Sequence, residues 1–248
     1  MKFEDKVKLL REKKHAGKET KAFLDDVVTI AQGEAYEYVL GEVVFCGAKI
    51  DLTLRPMIPR PETEFWVLQA IAGVKQAKSS YVLRVLDIFS GSGCVGLAFL
   101  KHFDEATVDM IEYDPLLQEQ IELSIRKNNI KKTRTRVLQG DTFSGASGKY
   151  TIITAVPPYV PLTMKSEVME ELHAEKPLFF FDKEDGYFYH KKVLREAKDF
   201  LTDEGTLYLE FDITQRVKIE QLAHDYGYQG MSFLKDPYGH ECTIALKK

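Results

Sequence analysis

The sequence predicts an α/β protein built around a doubly wound, mostly parallel sheet. From residue 82 onward, apolar segments of strand length alternate with longer segments of helical length. The first of these strands runs into a glycine-rich turn and a helix, and the next two end in acidic residues. Alternating strands and helices form parallel sheets that are covered on both faces and bind ligands at the carboxyl ends of their strands.

The composition limits the class of protein. Of 248 residues, 44% are hydrophobic and 29% are charged, which suits a globular protein and argues against a wholly disordered chain. A formal charge of −4 does not indicate a surface that coats nucleic acid. Cys46, Cys94 and Cys242 lack metal-binding spacing, so we predict no metal site. The sequence has no signal-peptide core and no apolar run of the roughly 20 residues that span a bilayer, so we expect a cytoplasmic protein.

Residues 1–35 are predicted to form a short helical appendage. Phe3, Val7 and Leu10 have helical spacing, and residues 23–31 suggest a second short helix. A segment of this length is too short for an independent core. We therefore expect it to dock on the main domain or on a partner.

Residues 36–80 are predicted to hold a β-hairpin and a linking helix. Residues 38–54 are rich in β-forming residues and contain two glycines, which is typical of a hairpin. Two prolines bend the segment Ile58-Pro59-Arg60-Pro61-Glu62-Thr63-Glu64 that follows. A helix is expected to begin at Glu62 or Thr63.

Residues 81–248 are predicted to form the ligand-binding domain. The predicted strands are Val82–Ile88, Thr107–Glu112, Arg136–Gln139, Tyr150–Ala155, Thr206–Phe211, Tyr228–Leu234 and Cys242–Leu246. The predicted helices are Val95–His102, Pro115–Asn128, Lys165–Ala174, Tyr187–Leu201 and Gln215–Tyr226.

The turn after the first of these strands is the most informative local segment. Gly91, Gly93 and Gly96 satisfy the pattern GxGxxG, in which glycines let the backbone approach a ligand and the helix start offers free N–H groups. Glu112 ends the next strand and suits the two hydroxyls of a ribose, and Asp141 follows the third. The turn and the two acids predict an adenosine pocket, but they do not distinguish NAD from S-adenosylmethionine.

The fourth strand runs into Val156-Pro157-Pro158-Tyr159. Prolines remove backbone donors and stiffen the loop, which leaves its carbonyl groups free to accept hydrogen bonds. A stiff loop at this sheet edge can hold a planar acceptor group next to a cofactor.

These motifs resemble the HemK/PrmC-type class I methyltransferases, which use S-adenosylmethionine to methylate the glutamine side-chain nitrogen in the GGQ motif of peptide-chain release factors. The resemblance covers about residues 36–246. It rests on blocks in the family's order: Ile58–Glu64, Leu86-Asp87 with Ser90–Cys94, Pro157-Pro158-Tyr159 as most of NPPY, Asp185-Gly186 with Tyr189, Leu209-Glu210 with Gln215, and Asp236–Gly239. It implies a Rossmann-like class I methyltransferase fold and S-adenosylmethionine as the cofactor.

The resemblance also implies roles for individual residues. The implied cofactor-binding residues are Asp87, Phe89, Ser90, Gly91, Ser92, Gly93, Glu112, Asp141 and Thr142. The implied acceptor slot consists of Val156, Pro157, Pro158 and Tyr159, and the implied substrate-side wall consists of Pro59, Arg60, Pro61 and Glu62.

The sequence departs from the family pattern at three places. Phe89 replaces a small residue, and the segment before residue 36 is shorter than the helical domain that helps the family bind release factors. Val156 replaces the Asn of NPPY, and valine cannot accept a hydrogen bond from the acceptor amide. An unpaired buried donor costs about 1–3 kcal/mol, so we expect a changed acceptor or a slower reaction.

Several functions remain open at this point. The methyl acceptor is a protein, such as a release factor, or a small molecule methylated on nitrogen or oxygen. The basic run at residues 126–136 leaves an RNA methyltransferase as an alternative, although we favour a solvated surface and expect no nucleic-acid partner. Loss of the Asn also leaves open a cofactor-binding protein without catalysis.

Overall fold

The computed structural model of the chain describes residues 1–77, 82–164, 175 and 179–248. Its strands are β1 (Glu42–Phe45), β2 (Ala48–Asp51), β3 (Arg84–Ile88), β4 (Thr107–Glu112), β5 (Thr135–Gln139), β6 (Tyr150–Ala155), β7 (Leu201–Glu210), β8 (Gly230–Lys235) and β9 (Glu241–Lys247). Its α-helices are α1 (Phe3–Lys13), α2 (Lys21–Ala31), α3 (Tyr36–Leu40), α4 (Pro61–Gln76), α5 (Cys94–His102), α6 (Pro115–Lys127), α7 (Phe188–Glu196) and α8 (Arg216–Asp225).

In this part of the chain, seven strands form one sheet in the order β5-β4-β3-β6-β7-β9-β8. The central strand β3 pairs in parallel with β4 on one side and with β6 on the other. The strands β5 and β7 extend the parallel region, and β9 and β8 complete one edge with antiparallel pairing. The strand order reverses between β3 and β6, which is where such sheets open a crevice for ligands.

Apolar clusters cover both faces of the sheet, as predicted for a doubly wound fold. Val85 of β3 points to one face, where Trp66 of α4 and Phe99 of α5 are buried. Leu86 points to the opposite face, where Val193 of α7 is buried. Because adjacent side chains of β3 are buried on opposite faces, the strand reads in the sequence as a continuous apolar run.

The N-terminal helices share a small apolar cluster of their own with α3. Its buried members are Leu10, Phe23, Ile30, Tyr36 and Val39. Two of these residues belong to α3, so residues 38–40, which were predicted to start the hairpin, are helical instead. The hairpin proper pairs Glu42 with Asp51 and turns at Cys46 and Gly47. The division of the chain at residue 35 stays a prediction.

The region before β7 also differs from the prediction. The helix predicted over 187–201 ends at Glu196 and is followed by a 3₁₀ turn at Ala197–Asp199. The strand β7 begins at Leu201, five residues before the predicted Thr206, because Leu201 pairs with Tyr150 across an irregular register. The helix predicted over residues 165–174 lies outside the described residues.

Among the residues that the structure describes, every helix is too short or too polar for a membrane crossing.

Candidate active site

A cavity of about 350 Å³ lies where the carboxyl ends of β3, β4, β5 and β6 meet. This volume is within the range of about 300–1,000 Å³ that is typical of small-ligand sites. The residues that line the cavity are Met57, Phe89, Gly91, Ile111, Glu112, Tyr113, Leu117, Gly140, Asp141, Thr142, Val156, Pro158, Phe179, Lys183 and Tyr189. The cavity therefore contains the glycine turn, both predicted acids and part of the diproline loop.

The glycine turn is held in a left-handed backbone conformation by hydrogen bonds from its own residues. Gly91 and Gly93 have φ angles of 53° and 78°, which favour glycine. The Ser90 hydroxyl donates to the carbonyl oxygen of Asp87 at 2.8 Å, and Ser92 is buried beside it. A Cβ atom on Gly93 would lie only 3.0 Å from the Ile121 side chain. Gly93 is thus required for packing between the turn and α6, whereas Gly91 faces the cavity.

Phe89 also lies in this turn, with an unusual φ of 57° for a residue with a side chain. Its ring packs edge-to-face against Tyr189, with the ring centroids 5.2 Å apart. Phe89 is therefore part of the cavity wall, and the cavity keeps its volume of about 350 Å³ beside it.

Asp87 lies beneath the turn and does not line the cavity. Its carboxylate accepts hydrogen bonds from the Gly96 amide at 3.1 Å and the Thr154 hydroxyl at 2.7 Å. Burial raises the pKa of Asp87 to about 7, and these hydrogen bonds only partly oppose the shift. Asp87 thus joins β3 to the start of α5 and to the end of β6.

Glu112 connects the glycine turn to the start of α6. One of its carboxylate oxygens accepts from the Gly91 amide at 2.8 Å, and the other accepts from the Asp114 amide at 2.9 Å. Burial raises the pKa of Glu112, and the backbone hydrogen bonds act in the opposite direction. Each carboxylate oxygen has two lone pairs, so both can accept a further hydrogen bond from a ligand hydroxyl.

Asp141 and Thr142 follow β5 at the far end of the cavity. The Thr142 hydroxyl donates to Asp141 at 2.8 Å, and the Lys192 ammonium donates to the other carboxylate oxygen at 2.9 Å. Burial acts to raise the pKa of Asp141, but Lys192 and Thr142 outweigh it and the pKa is lowered. Lys192 lies on α7, far from Asp141 in sequence, and no motif indicated this pairing.

The diproline loop divides its residues between two environments. Val156 and Pro158 line the cavity, whereas Pro157 is buried and does not line it. Tyr159 does not line the cavity either; its carbonyl oxygen accepts from the Gln215 side chain at 3.2 Å. Two of the four residues in the acceptor slot implied by the family resemblance therefore line the cavity.

The residues implied as the substrate-side wall lie mostly along a second groove of about 530 Å³. Pro59, Arg60 and Pro61 line this groove, next to strand β1, and Glu62 lies in neither lining. The Arg60 guanidinium binds the Glu175 carboxylate, which also accepts from the Ile58 amide at 2.7 Å. Met57, directly before this segment, lines the cavity, and sequence reasoning missed it.

Sequence reasoning missed other residues that line the cavity. They are Ile111, Tyr113, Leu117, Gly140, Phe179, Lys183 and Tyr189. Ile111, Tyr113 and Gly140 adjoin predicted site residues, so the strand-end argument extends to them. Tyr189 belonged to a weaker motif block, and no signal in the sequence indicated Leu117, Phe179 or Lys183.

Three residues of the basic run at 126–136 are engaged within the protein. The Arg134 guanidinium donates to the carbonyl oxygens of Leu100 and Ala106, each at 3.0 Å. Arg136 forms an ion pair with Asp109, and Lys127 forms one with Asp51 and another with Glu42. These contacts favour the interpretation of the run as a solvated, partly structural surface. The absence of a nucleic-acid partner stays a prediction.

The described residues contain no cluster of three or more histidine, cysteine, aspartate or glutamate side chains that could hold a metal ion.

Comparisons with known proteins identify similar chains. Residues 74–178 match the family model described as the methyltransferase small domain. The chain is 31% identical over 217 residues to the release factor glutamine methyltransferase of Thermodesulfovibrio yellowstonii. The match covers 87% of this chain and 77% of that protein. It is 29% identical over 233 residues to the enzyme of the same name from Streptococcus pneumoniae. That match covers 92% of this chain and 80% of that protein.

Among solved structures, a methyltransferase from Pyrococcus furiosus matches with a TM-score of 0.59 and 19% identity, covering 82% of this chain and 89% of that chain. This structural match supports the predicted Rossmann-like fold. The two sequence matches extend over most of each protein.

Proposed function

Because the chain belongs to the release factor glutamine methyltransferase family, we propose that it transfers a methyl group to a glutamine side-chain nitrogen in a protein acceptor of the release factor type. The chain is an S-adenosylmethionine-dependent methyltransferase, as its sequence predicted. The observation that carries the proposal is a single cavity in which the glycine turn and Glu112 lie beside Val156 and Pro158.

The residues of the cavity fit an adenosyl cofactor. Glu112 has lone pairs left for the ribose hydroxyls, and the backbone of Gly91 faces the cavity without a side chain. Ile111 and Leu117 provide an apolar wall for a purine, and the Asp141 carboxylate lies at the end of the cavity as an acceptor for an amino group. Asp87, Ser90 and Gly93 do not line the cavity and support the turn from behind.

The reaction needs alignment more than acid–base chemistry. When bound, S-adenosylmethionine would supply a methyl group on an activated sulfonium and leave as the thioether S-adenosylhomocysteine, and the methylated nitrogen would release one N–H proton to solvent. Val156 and Pro158 form an apolar edge that excludes water from the acceptor nitrogen. The proline loop keeps the nitrogen in place through its carbonyl oxygens, since prolines offer no competing N–H donor.

Val156 limits how firmly the loop can hold an amide. An amide nitrogen carries two N–H donors, and the Val156 side chain accepts neither of them. The loop carbonyl groups are therefore the acceptors that this edge offers. This difference supports a second candidate, in which the acceptor is a small molecule whose reacting nitrogen or oxygen needs only one hydrogen-bond partner.

Isotope transfer tests the proposal. The enzyme would be incubated with methyl-labelled S-adenosylmethionine and an intact release factor, and the acceptor digested and sequenced by mass spectrometry. We expect one labelled methyl group, about 14 Da plus the label, on the glutamine of the GGQ motif. A Glu112→Gln enzyme serves as a control with weakened cofactor binding. An unlabelled release factor, together with label in a small-molecule extract, would replace the first candidate with the second.

A further inference from the structure

A buried carboxylate lies directly behind the acceptor loop, and the mechanism above does not use it. Glu210 is the last residue of β7 and is 5% exposed. One of its carboxylate oxygens accepts from the Thr63 hydroxyl at 2.8 Å and from the Trp66 indole N–H at 2.6 Å. Both donors lie in the first two turns of α4, immediately after the Pro59–Pro61 segment. Two donors from one helix therefore converge on a single buried anion.

The acceptor loop reaches the same carboxylate from the other side. The Tyr159 phenol lies close enough to the Glu210 side chain to lower the pKa of that carboxyl as a donor. The Tyr159 carbonyl accepts from the Gln215 side chain, which also donates to Gly186 at 3.0 Å. The Glu210 carbonyl oxygen is bonded to the His190 ring at 3.0 Å. The end of β7 thus connects α4, the acceptor loop and α7 in one network.

We propose that the Glu210 carboxylate is a positioning group for methyl transfer, which fixes the Val156–Pro158 edge of the cavity by holding Tyr159 against Thr63 and Trp66. This inference rests on the proposed function, because the edge is the place where that function puts the acceptor nitrogen. Tyr159 follows Pro158 directly, so a change in the tilt of Tyr159 moves Pro158. The carboxylate accepts from Thr63 and Trp66 on one oxygen and leaves the other oxygen to Tyr159, whereas a protonated carboxyl carries an O–H that would meet one of these donors.

The charge of Glu210 responds to pH near neutrality. Burial raises the pKa of Glu210 to about 7, and the hydrogen bonds from Trp66, Thr63 and Tyr159 lower it only in part. Below this pKa the carboxyl is protonated, so the network is complete at higher pH and weakens as the pH falls. We therefore expect turnover to fall as the pH drops through about 7, beyond any effect on cofactor binding.

Other titratable groups face Glu210 from the surrounding elements. They are Glu62 of α4, Tyr159 of the loop, His190 of α7, Cys94 of α5 and Cys242 of β9. Burial lowers the pKa of His190 to about 4, and it raises the pKa values of Cys94 and Cys242 to about 12 and 11. These three groups therefore keep one protonation state near neutral pH, and none of them accounts for a transition there.

Trp66 provides a direct reporter of this carboxylate. It is the single tryptophan of the chain, it is fully buried, and its indole N–H donates to Glu210. Tryptophan emission would be recorded from about pH 5 to pH 9 for the wild type, Glu210→Gln and Asp87→Asn. We expect a transition near pH 7 in the wild type and no transition in Glu210→Gln. Asp87→Asn lacks the Asp87 carboxyl, whose pKa is also about 7, and should keep the transition.

Kinetics and hydrogen exchange then test positioning. In Glu210→Gln we expect kcat with the release factor to fall about 10- to 100-fold, while the affinity for S-adenosylhomocysteine stays within about twofold. In the same variant, kcat should no longer fall towards low pH, and the backbone amide hydrogens of Val156, Tyr159 and Val160 should exchange with solvent faster. Thr63→Val removes one donor and keeps the carboxylate, so a smaller loss of about 3- to 10-fold is expected with the pH dependence retained.

The outcomes separate this inference from the proposed function. If the wild type transfers no methyl group to the release factor, the proposed function fails, and the emission transition and loop exchange still decide the role of Glu210. If Glu210→Gln keeps the wild-type kcat, pH profile and exchange rates, the inference is wrong and the proposed function stands. A parallel loss of cofactor affinity and kcat indicates a purely structural role. Should Glu210→Gln not fold, Tyr159→Phe and Thr63→Val must both lower kcat for the inference to survive.

Discussion

The two sides of the cavity are built in different ways. On the cofactor side, the turn from Ser90 to Gly93 and the carboxylate of Glu112 are fixed by hydrogen bonds between side chains and backbone groups that lie within a few residues of the ends of β3 and β4. On the acceptor side, the Gln215 side chain donates to the carbonyl oxygen of Tyr159 in the loop, and side chains of α4 donate to Glu210 at the end of β7.

This difference bears on which side of the cavity a single substitution can change. A site whose shape is set by glycine φ angles and strand ends tolerates many substitutions around it. A site made from side chains can change its chemistry with one replacement, and Val156 is such a replacement. The comparison predicts that cofactor binding is strong and ordinary in this protein, whereas the acceptor side determines its individual rate and specificity.

Substitution of Glu112 gives the largest expected effect and tests the cofactor side. In Glu112→Gln, the amide NH₂ must face either the Gly91 or the Asp114 backbone N–H, so the turn loses one hydrogen bond and an acceptor for the ribose. We expect the Kd for S-adenosylhomocysteine to rise on the order of 100-fold, measured by calorimetry. The exposed Glu105→Gln is the control and should bind normally. Unchanged affinity in Glu112→Gln would place the cofactor elsewhere.

Restoring an amide at position 156 tests the acceptor side. Val156→Asn supplies the side-chain acceptor that the loop lacks, so we expect kcat for release factor methylation to rise about 10- to 100-fold. Single-turnover kinetics with saturating cofactor would measure the change. Val156→Ala, which alters size without adding an acceptor, should give no such gain. If both variants are slower than the wild type, the acceptor is not an amide that needs this partner.

Asp87 gives an intermediate effect, which appears as a dependence of stability on pH. Burial raises the pKa of Asp87 from 3.8 to about 7, so the folded state binds more protons than the unfolded state, and this residue costs stability as the pH rises through that interval. Asp87→Asn removes the cost. Its melting temperature relative to the wild type should increase between pH 5 and pH 8 by about 4–8 °C, or on the order of 2 kcal/mol. A difference that stays constant with pH would contradict the assigned burial of charge.

Gly93 gives the smallest expected effect. Gly93→Ala forces a side chain into a φ of 78° and brings a Cβ atom to 3.0 Å from Ile121, so we expect a loss of about 1–2 kcal/mol in unfolding free energy. Gly73→Ala is the matched control, since Gly73 lies inside α4 with open space around it and should gain about 0.5–1 kcal/mol. Chemical denaturation measures both. Equal effects of the two substitutions would show that the turn is not conformationally restricted.

The contrast between the two sides also explains how far the sequence could be interpreted. The strands β4 and β6 have the predicted bounds, and Glu112 and Asp141 lie at the cavity, because strand ends follow from local apolar patterns. Contacts across long separations could not be derived in the same way. The pairing of Lys192 with Asp141 and the convergence of Trp66 on Glu210 depend on how α7 and α4 pack against the sheet.

Two further differences have local causes. Residues 38–40 have strand-forming side chains but are helical, because Tyr36 and Val39 are buried in the cluster formed by α1 and α2. Tyr159 belongs to the motif that implied an acceptor slot, yet it does not line the cavity. A motif specifies which residues occur together, and it does not specify which of them face the ligand.

A crystal structure with bound S-adenosylhomocysteine tests the central claim most directly. We predict density for the ligand in the cavity of about 350 Å³, with its ribose hydroxyls on Glu112 and its sulfur directed towards Val156 and Pro158. Density in the groove beside Arg60, or a sulfur directed away from the diproline edge, would contradict the assignment of the two sides.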